Sequence, residues 1–552
     1  MNKHIENLRN FIKSQKADAI LINSADEFLS EYNLLPLNSR YKVTGFSGST
    51  GDCLVTQNKV YQIADGRYHQ QADNEVDHET TEVLKMIQGG SQTDEIVKVL
   101  GKNSTLLVTA NKVSQYFCEI LEKKCGKKSI NIKYINNDPV DDLTQNNYTN
   151  VNLKPVEKKF AGKSHEEKFK YFMSKVKDNQ VLLVTMPVNF AYLTNLRNYD
   201  FPYSSAPRAK AVITKKKIVL FTNSKIPYKA AELEVKKLSD FKTYLKTLKD
   251  SEILTDKTTV TKADFMQIDK SNKIKSSKIF DKKSCKNRAE IEHLKDAFKR
   301  TDRVLRRMEN LINSDKKLSE YDLYCAITEF FAQEGAYAQS FKPIIASGAD
   351  SSIIHYTVAS KSKIIKDGDF VMIDCGGFFE GGLATDITRT FIKGKPTEEQ
   401  KRIYTKVFQA FVSTYTKKYK KTATWHDIDK NTRNKLKSEE KNGWYFSHST
   451  GHGIGISVHE FPPRCAQLKI YKKTFKKNYV FSIEPGLYKK GTGGVRLENA
   501  VYVKDISDKM VLEVLSHYPF DEKLINREML SKSELKFLEA WQNYGKDNYI
   551  DI

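Results

Sequence analysis

Five ionisable residues in the C-terminal third of the chain, Asp374, Asp386, His452, Glu484 and Glu498, lie in short runs of strand-forming residues: FVMIDCGG, LATDITRTF, HSTGHGIG, VFSIEPGLY and GVRLENAVYV. Any one of them alone would read as a surface charge. A charge stranded inside an apolar strand is costly unless it is paired or ligated, so a fold that accommodates all five has to bring them together. Four carboxylates and one imidazole carry the charge and the oxygen donors to hold two divalent cations. Such a pair makes a nucleophilic hydroxide near neutral pH, and the pattern therefore points to hydrolytic chemistry.

Successive side chains of a strand face opposite ways. Asp386 shares a face with Thr388 and Thr390, while Ile387, Arg389 and Phe391 take the other, so Asp386 is expected to point into a polar pocket. Asp374 and Asp386 are separated by CGGFFEGGLAT, whose two Gly-Gly pairs signal a turn; a hairpin should bring both carboxylates to one edge. The same alternation turns the thiol of Cys375 away from Asp374. Glu484 follows VFSI and precedes Pro485-Gly486, which ends the strand just after the carboxylate. In GVRLENA, Arg496 and Glu498 share a face, and Arg496 is expected to reach the same cavity.

Histidine is scarce, 11 in all, yet His448, His452 and His459 fall together in FSHSTGHGIGISVHEFPP, and His355 lies in ASGADSSIIHYTVAS. A lone histidine is ordinarily a satisfied core or loop residue. Here the glycines beside His452 permit close backbone approach and SVHE reads as strand-like, which predicts a cluster near the cations. His355 and His459 are expected as outer groups donating hydrogen bonds to a carbonyl or its oxyanion. GHGIG lacks a strand before it and a helix after it, so a phosphate loop is rejected.

The 552 residues exceed one ordinary core and suggest about three or four domains. The 39% hydrophobic and 29% charged content is that of a soluble globular protein. No apolar run nears the roughly 18 residues of a membrane span, VLLVTMPVNF (181–190) being the nearest. The N-terminus reads as an amphipathic helix followed by a strand, with no signal-peptide core, and the expected compartment is cytoplasmic. Seven scattered cysteines without a C-x-x-C pair argue against a disulfide framework or a zinc knuckle. The net charge of +23 comes mostly from dispersed lysine, as in TKKYKKT (416–422) and LKIYKKTFKKN (468–478). Without an arginine-rich helix or an RNA-binding aromatic motif, it reads as a solvated surface rather than a nucleic-acid site.

Up to about residue 157, apolar runs (AILIN, DCLVT, TLLVTA) alternate with helical ones (DEIVKVLG, SQYFCEILEKK), the pattern of an α/β domain. A lysine-rich linker leads into a second round, with VLLVTM, AYLTNL, AKAVITKKKIVLFTN and EILTD read as strand-like, although no clean repeat is visible. After KIFDKKSCKN (278–287) two long amphipathic helices follow, RAEIEHLKDAFKRTDRVLRRMENLIN and SEYDLYCAITEFFAQEG. The unit bearing the five residues should therefore start near 282. Trp425, Trp444 and Trp541 are read as packing residues.

Residues 282–510 resemble the pita-bread metallopeptidase family of aminopeptidase P, prolidase, methionine aminopeptidase and creatinase, on the five motifs quoted above. SEYNLLPLNSRYKVTGFSGSTG, IADGRYHQQA, NFAYLTNLRNYDFPYSSAPRAKAVIT and HYPFDEKLINREMLSKSELKFLEAWQNYG extend the resemblance to the family's long, three-domain aminopeptidase P form. The resemblance implies an α/β (α+β) chain of two tandem creatinase-like domains, 1–157 and 158–281, and a pita-bread catalytic domain, 282–552, with a tail from about 518.

It also implies that Asp374 and Asp386 bind one metal with Asp386 bridging, that His452 and Glu484 bind the other, and that Glu498 bridges. The expected cofactor is a pair of divalent ions, manganese first, with zinc or cobalt as alternatives. His355, His459 and Arg496 match substrate-contacting positions. The implied activity releases the N-terminal residue from peptides with proline second, by attack of a hydroxide between the two metals. Glu484 would move its proton, His459 would stabilise the oxyanion and His355 would hold the peptide. A homodimer acting on Xaa-Pro peptides, without nucleic acid or membrane, is expected. Prolidase and a non-catalytic pita-bread binding module are the alternatives. Three departures stand out: an Asp374–Asp386 interval one residue longer than usual, Ser449 where glycine is frequent, and Asn499 where an acid is common.

Overall fold

The computed structural model describes residues 2–87, 89–140, 151–468 and 472–549, with side chains described to 544. Residues 469–471 of the lysine run and 550–552 of the tail lie outside them. The chain forms two compact units, one of 1–158, 163–202 and 206–280, the other of 159–162, 203–205 and 281–552.

The first unit contains two six-stranded sheets. One runs Thr81–Lys85, Val60–Ala64, Cys53–Thr56, Ala19–Ile22, Thr105–Thr109, Asn131–Ile135. The other runs Leu233–Lys236, Ile218–Phe221, Lys210–Ile213, Gln180–Val184, Glu252–Thr255, Lys273–Ser276. Read across each sheet, the pairings are parallel, antiparallel, antiparallel, parallel, parallel. The tandem blocks thus share one topology, a repeat invisible in the residues. Their central strands AILI, QVLLV, KAVI and IVLF are buried throughout, as strands covered on both faces should be. The last edge strand, KIKS, is exposed along its length, and its lysines discourage further strand addition.

One strand expectation fails in this unit. AYLTNL is the end of a helix, Pro187–Thr194, closed by Asn195 in a left-handed conformation. Pro187 pre-sets the first helical turn, and because nearly every residue of this helix is buried it shows no polar face to betray its period.

In the second unit, the helix Arg288–Asn313 starts at a capping box formed by Asn287 and Glu290, and Glu320–Gln333 at one formed by Ser319 and Asp322. Their apolar stripes (Val304, Leu305, Met308; Leu323, Ile327, Phe331) pack on Ile373, Cys375, Ile387 and Phe391 of the strands behind them. Cys375 accordingly faces the core. A three-stranded antiparallel sheet, Ile344–Ser347, Phe370–Cys375, Ile387–Ile392, is accompanied by a four-stranded one, Tyr419–Lys420, Lys509–Val514, Asn499–Ile506, Val480–Ile483. Two ribbons, Gly451–His452 with Arg464–Cys465 and Gly486–Lys489 with Gly493–Arg496, complete the frame.

The helices Glu398–Tyr415 and Trp425–Leu436 and the terminal helix Lys532–Tyr549 share a second core that includes Phe408, Phe411, Trp425, Trp444, Phe481 and Trp541. All three tryptophans are packing residues. Among the described residues no helix is long and apolar enough to cross a membrane.

Candidate metal centre

The strands Phe370–Cys375 and Ile387–Ile392 pair antiparallel with Asp374 opposite Thr388, so the expected hairpin forms and sets Asp374 and Asp386 near one end. The interval between them folds as a smaller hairpin. Gly377–Phe378 pairs with Ala338–Gln339, Phe378 bridges Ala384, and Gly382 N–H closes a turn onto Phe379 O at 2.9 Å. Its length is thereby taken up away from the ladder that registers Asp374.

Glu484 follows the strand Val480–Ile483, its amide bonded to Thr450 O at 2.8 Å. Glu498 lies just before the strand Asn499–Ile506, its amide bonded to Thr388 O at 3.1 Å. Backbone pairing thus carries both carboxylates to the hairpin end. Gly451 precedes His452 because its backbone rests on the neighbouring strand; a Cβ there would sit 1.8 Å from Ser482 O.

The side chains converge. One ligating atom each from Asp386, His452 and Glu498 lies within 4.8 Å of the others. His452 Nε2 is 3.4 Å from Asp386 Oδ2 and 3.6 Å from Glu484 Oε1. Asp374 joins the group through Arg496, whose Nη2 donates to Asp374 Oδ2 at 2.6 Å. Arg496 Nε donates to Thr388 Oγ1 at 3.0 Å, and Thr388 Oγ1 donates in turn to Glu498 Oε2 at 2.7 Å. One guanidinium therefore orients two of the acids.

All four acids rise, with burial the largest cause in each. Burial, then Glu498, Asp374 and Glu484, lift the Asp386 carboxyl well above the usual carboxylate range. Burial, then Glu484 and Asp374, do the same to Glu498. Burial raises Asp374 against the pull of Arg496, and takes Glu484 up to about 7. A buried quartet of acids facing one arginine is short of positive charge. Asp374 Oδ1 is buried with no hydrogen-bond partner among the described residues. An orphaned acceptor, mutually repelling carboxylates and an imidazole within ligating reach fit a site for divalent cations.

His459 stands with its ring centroid 4.4 Å from that of His452, edge to face. SVHE is not a strand, however; residues 457–459 are bends in a loop. His355 follows Ile354, whose carbonyl accepts from Arg496 Nη1 at 3.3 Å. Arg496 is buried to 2% exposure, and its donors go to Asp374, Thr388, Ile354 O and Tyr488 Oη.

Several contributors were not read from the sequence. Strand alternation places Thr388 on the face of Asp386 and says nothing of its bond to Glu498. His448, left without a role, has Nε2 2.8 Å from Tyr488 Oη and Nδ1 3.5 Å from Glu484 Oε2. Arg389, assigned to the face away from Asp386, is fully buried and donates to Thr388 O, Glu498 O, Asn499 Oδ1, Tyr518 O and Pro519 O. Asn499, where the family commonly has an acid, thus serves as a neutral acceptor.

Residues 292–505 match the Metallopeptidase family M24, and residues 4–138 and 144–290 each match a Creatinase/Prolidase N-terminal domain. The chain is similar to a probable Xaa-Pro aminopeptidase P of Coprinopsis cinerea, 28% identical with 98% of this chain and 94% of that one covered. It is similar to Xaa-Pro aminopeptidase 1 of Dictyostelium discoideum, 26% identical with 98% and 92% covered. Its fold is that of an X-prolyl aminopeptidase from Caenorhabditis elegans, described as a cytosolic enzyme with a di-nuclear active site, at a TM-score of 0.90 and 20% identity over 99% of this chain and 95% of that one. Two creatinase-like α/β domains and a pita-bread domain therefore follow one another in the order expected.

Proposed function

We propose that the protein is a metal-dependent aminopeptidase that releases the N-terminal residue from peptides with proline at the second position. The observation that carries this reading is the buried cluster of Asp374, Asp386, Glu484 and Glu498 around His452, four acids facing one arginine, in a chain alike over nearly its full length to Xaa-Pro aminopeptidases.

Asp374 and Asp386 would hold one cation, His452 and Glu484 the other, with Asp386 and Glu498 shared. The oxygen-rich donor set favours a hard or borderline ion, and manganese is assigned ahead of zinc or cobalt. When bound, such a pair supplies Lewis acidity and an activated water.

The remaining steps belong to side chains. Glu484 takes a proton from the attacking water and delivers it to the leaving imino nitrogen. His459 donates to the developing oxyanion, and His355 holds the peptide beside the scissile bond. Arg496 serves substrate by fixing Asp374 and, through Thr388, Glu498. The enzyme is assigned to the cytoplasm, in keeping with seven free cysteines, and to a homodimer, in keeping with the long-form resemblance.

The test is metal content together with hydrolysis of an Xaa-Pro dipeptide and an Xaa-Pro-Yaa tripeptide, before and after chelation and after manganese is restored. The expected result is about two ions per chain and a chelation-sensitive activity that releases Xaa from the tripeptide. Activity on the dipeptide alone would make the enzyme a prolidase. Activity indifferent to chelation would overturn the reading.

A further inference from the structure

The loop between His452 and His459 is wrapped around a carboxylate. Glu460 is 3% exposed, and its Oε2 accepts the Ile456 amide at 3.1 Å while its own amide donates to Gly453 O at 2.8 Å. Gly455 lies so close that a Cβ there would stand 2.2 Å from Glu460 Oε1. The Glu460 side chain therefore fills the inside of the turn that His459 closes.

Its counter-charge comes from far along the chain. Lys286, 2% exposed, donates to Glu460 Oε1 at 2.6 Å and to Lys283 O at 2.8 Å. Burial alone would push the Glu460 carboxyl up, yet Lys286 and then Lys283 hold it below its ordinary range. Lys286 is itself fixed. Its amide donates to Asn478 O at 2.9 Å, Cys285 bridges Tyr479, and Asn287, the next residue, caps the helix Arg288–Asn313. A buried ion pair thus ties the loop to a rigid helix start, beside the backbone bonds from Ala384 N to Gly455 O at 2.7 Å and from Ile454 N to Val480 O at 3.1 Å.

We propose that Lys286 and Glu460 are a positioning pair that clasps the 453–460 loop and sets the orientation of His459 for the reaction. The inference rests on the aminopeptidase reading for His459. A buried pair of this kind matters most when one partner is lost, because the other is left charged and uncompensated. Neutralising both partners removes that penalty and keeps the shape of the turn.

The experiment compares the full-length, manganese-loaded wild type with Lys286→Met, Glu460→Gln and the double variant, by Xaa-Pro-peptide kinetics and by hydrogen exchange of residues 453–461. Lys286→Met should lower kcat about 10²-fold, the scale of one lost oxyanion donor, with KM changed less than about threefold and the loop deprotected. The double variant should recover most of both. Adding His459→Ala to Lys286→Met should cost little more than His459→Ala alone, because the two act through one group.

Additive losses, or unchanged loop exchange in Lys286→Met, would overturn the proposal. If Lys286→Met fails to fold, Glu460→Gln and the double variant carry the same comparison. A wild type inactive on Xaa-Pro peptides would defeat the aminopeptidase reading, and loop exchange would still decide the clasp.

Discussion

Chelated protein should lose stability in its second unit as the pH rises, and manganese should abolish that loss. Glu484 is taken from 4.5 to about 7 by burial and its neighbours. A carboxyl raised on folding contributes most below its ordinary value, and the contribution is lost as pH climbs through the raised one. At about 1.36 kcal/mol per tenfold change in proton affinity, Glu484 alone costs the metal-free fold roughly 3 kcal/mol by pH 8 relative to pH 4.5. Asp374, Asp386 and Glu498 shift the same way and steepen the slope.

The assay is urea unfolding followed by tryptophan fluorescence, which reports on the second unit because Trp425, Trp444 and Trp541 all lie within 281–552. Glu484→Gln should flatten the metal-free slope by about the same 3 kcal/mol. Equal stability of the metal-free protein at pH 5 and pH 8, or a slope that survives saturation with manganese, would refute the view that these acids await cations.

Asp386→Ala and Glu484→Ala should each reduce peptide turnover to background while hydrogen exchange in the two six-stranded sheets stays as in wild type. His459→Ala should lower kcat by roughly 10²–10³ and leave KM nearly unchanged; a pure KM effect would contradict its oxyanion role. Arg389→Lys keeps the charge but offers three donors to five acceptors, and should cost the second unit about 2–4 kcal/mol in the same urea assay, with exchange rising at 515–521.

What could be read in advance was local. The alternation around Asp386 and the Pro485-Gly486 stop after Glu484 act over a few residues, and the hairpin and strand end are where they were expected. The buried helix Pro187–Thr194 defeated the same logic, since an element apolar on every side has no period to read. SVHE misled by alternating without being paired; its geometry is set by the carboxylate of Glu460 inside the turn.

The supports of the site were illegible for a different reason. Arg389 meets Glu498 across 109 residues, and Lys286 meets Glu460 across 174. Nothing in either neighbourhood marks a cation as buried rather than solvated. Nor does a strand's composition declare its place in a sheet, which is why the shared strand order of the first unit emerges only from pairing.

The guanidinium of Arg389 also sets a timetable. Two of its five acceptors, Tyr518 O and Pro519 O, lie beyond the strand Lys509–Val514, and Trp541 Nε1 donates to the first of them at 3.1 Å. During synthesis the earlier strands can assemble, but that cation stays short of two acceptors until residues 518 and 519 emerge from the ribosome. The backbone that carries Thr388 and Glu498 is thereby locked only after the stretch holding Tyr518 and Pro519 has been made.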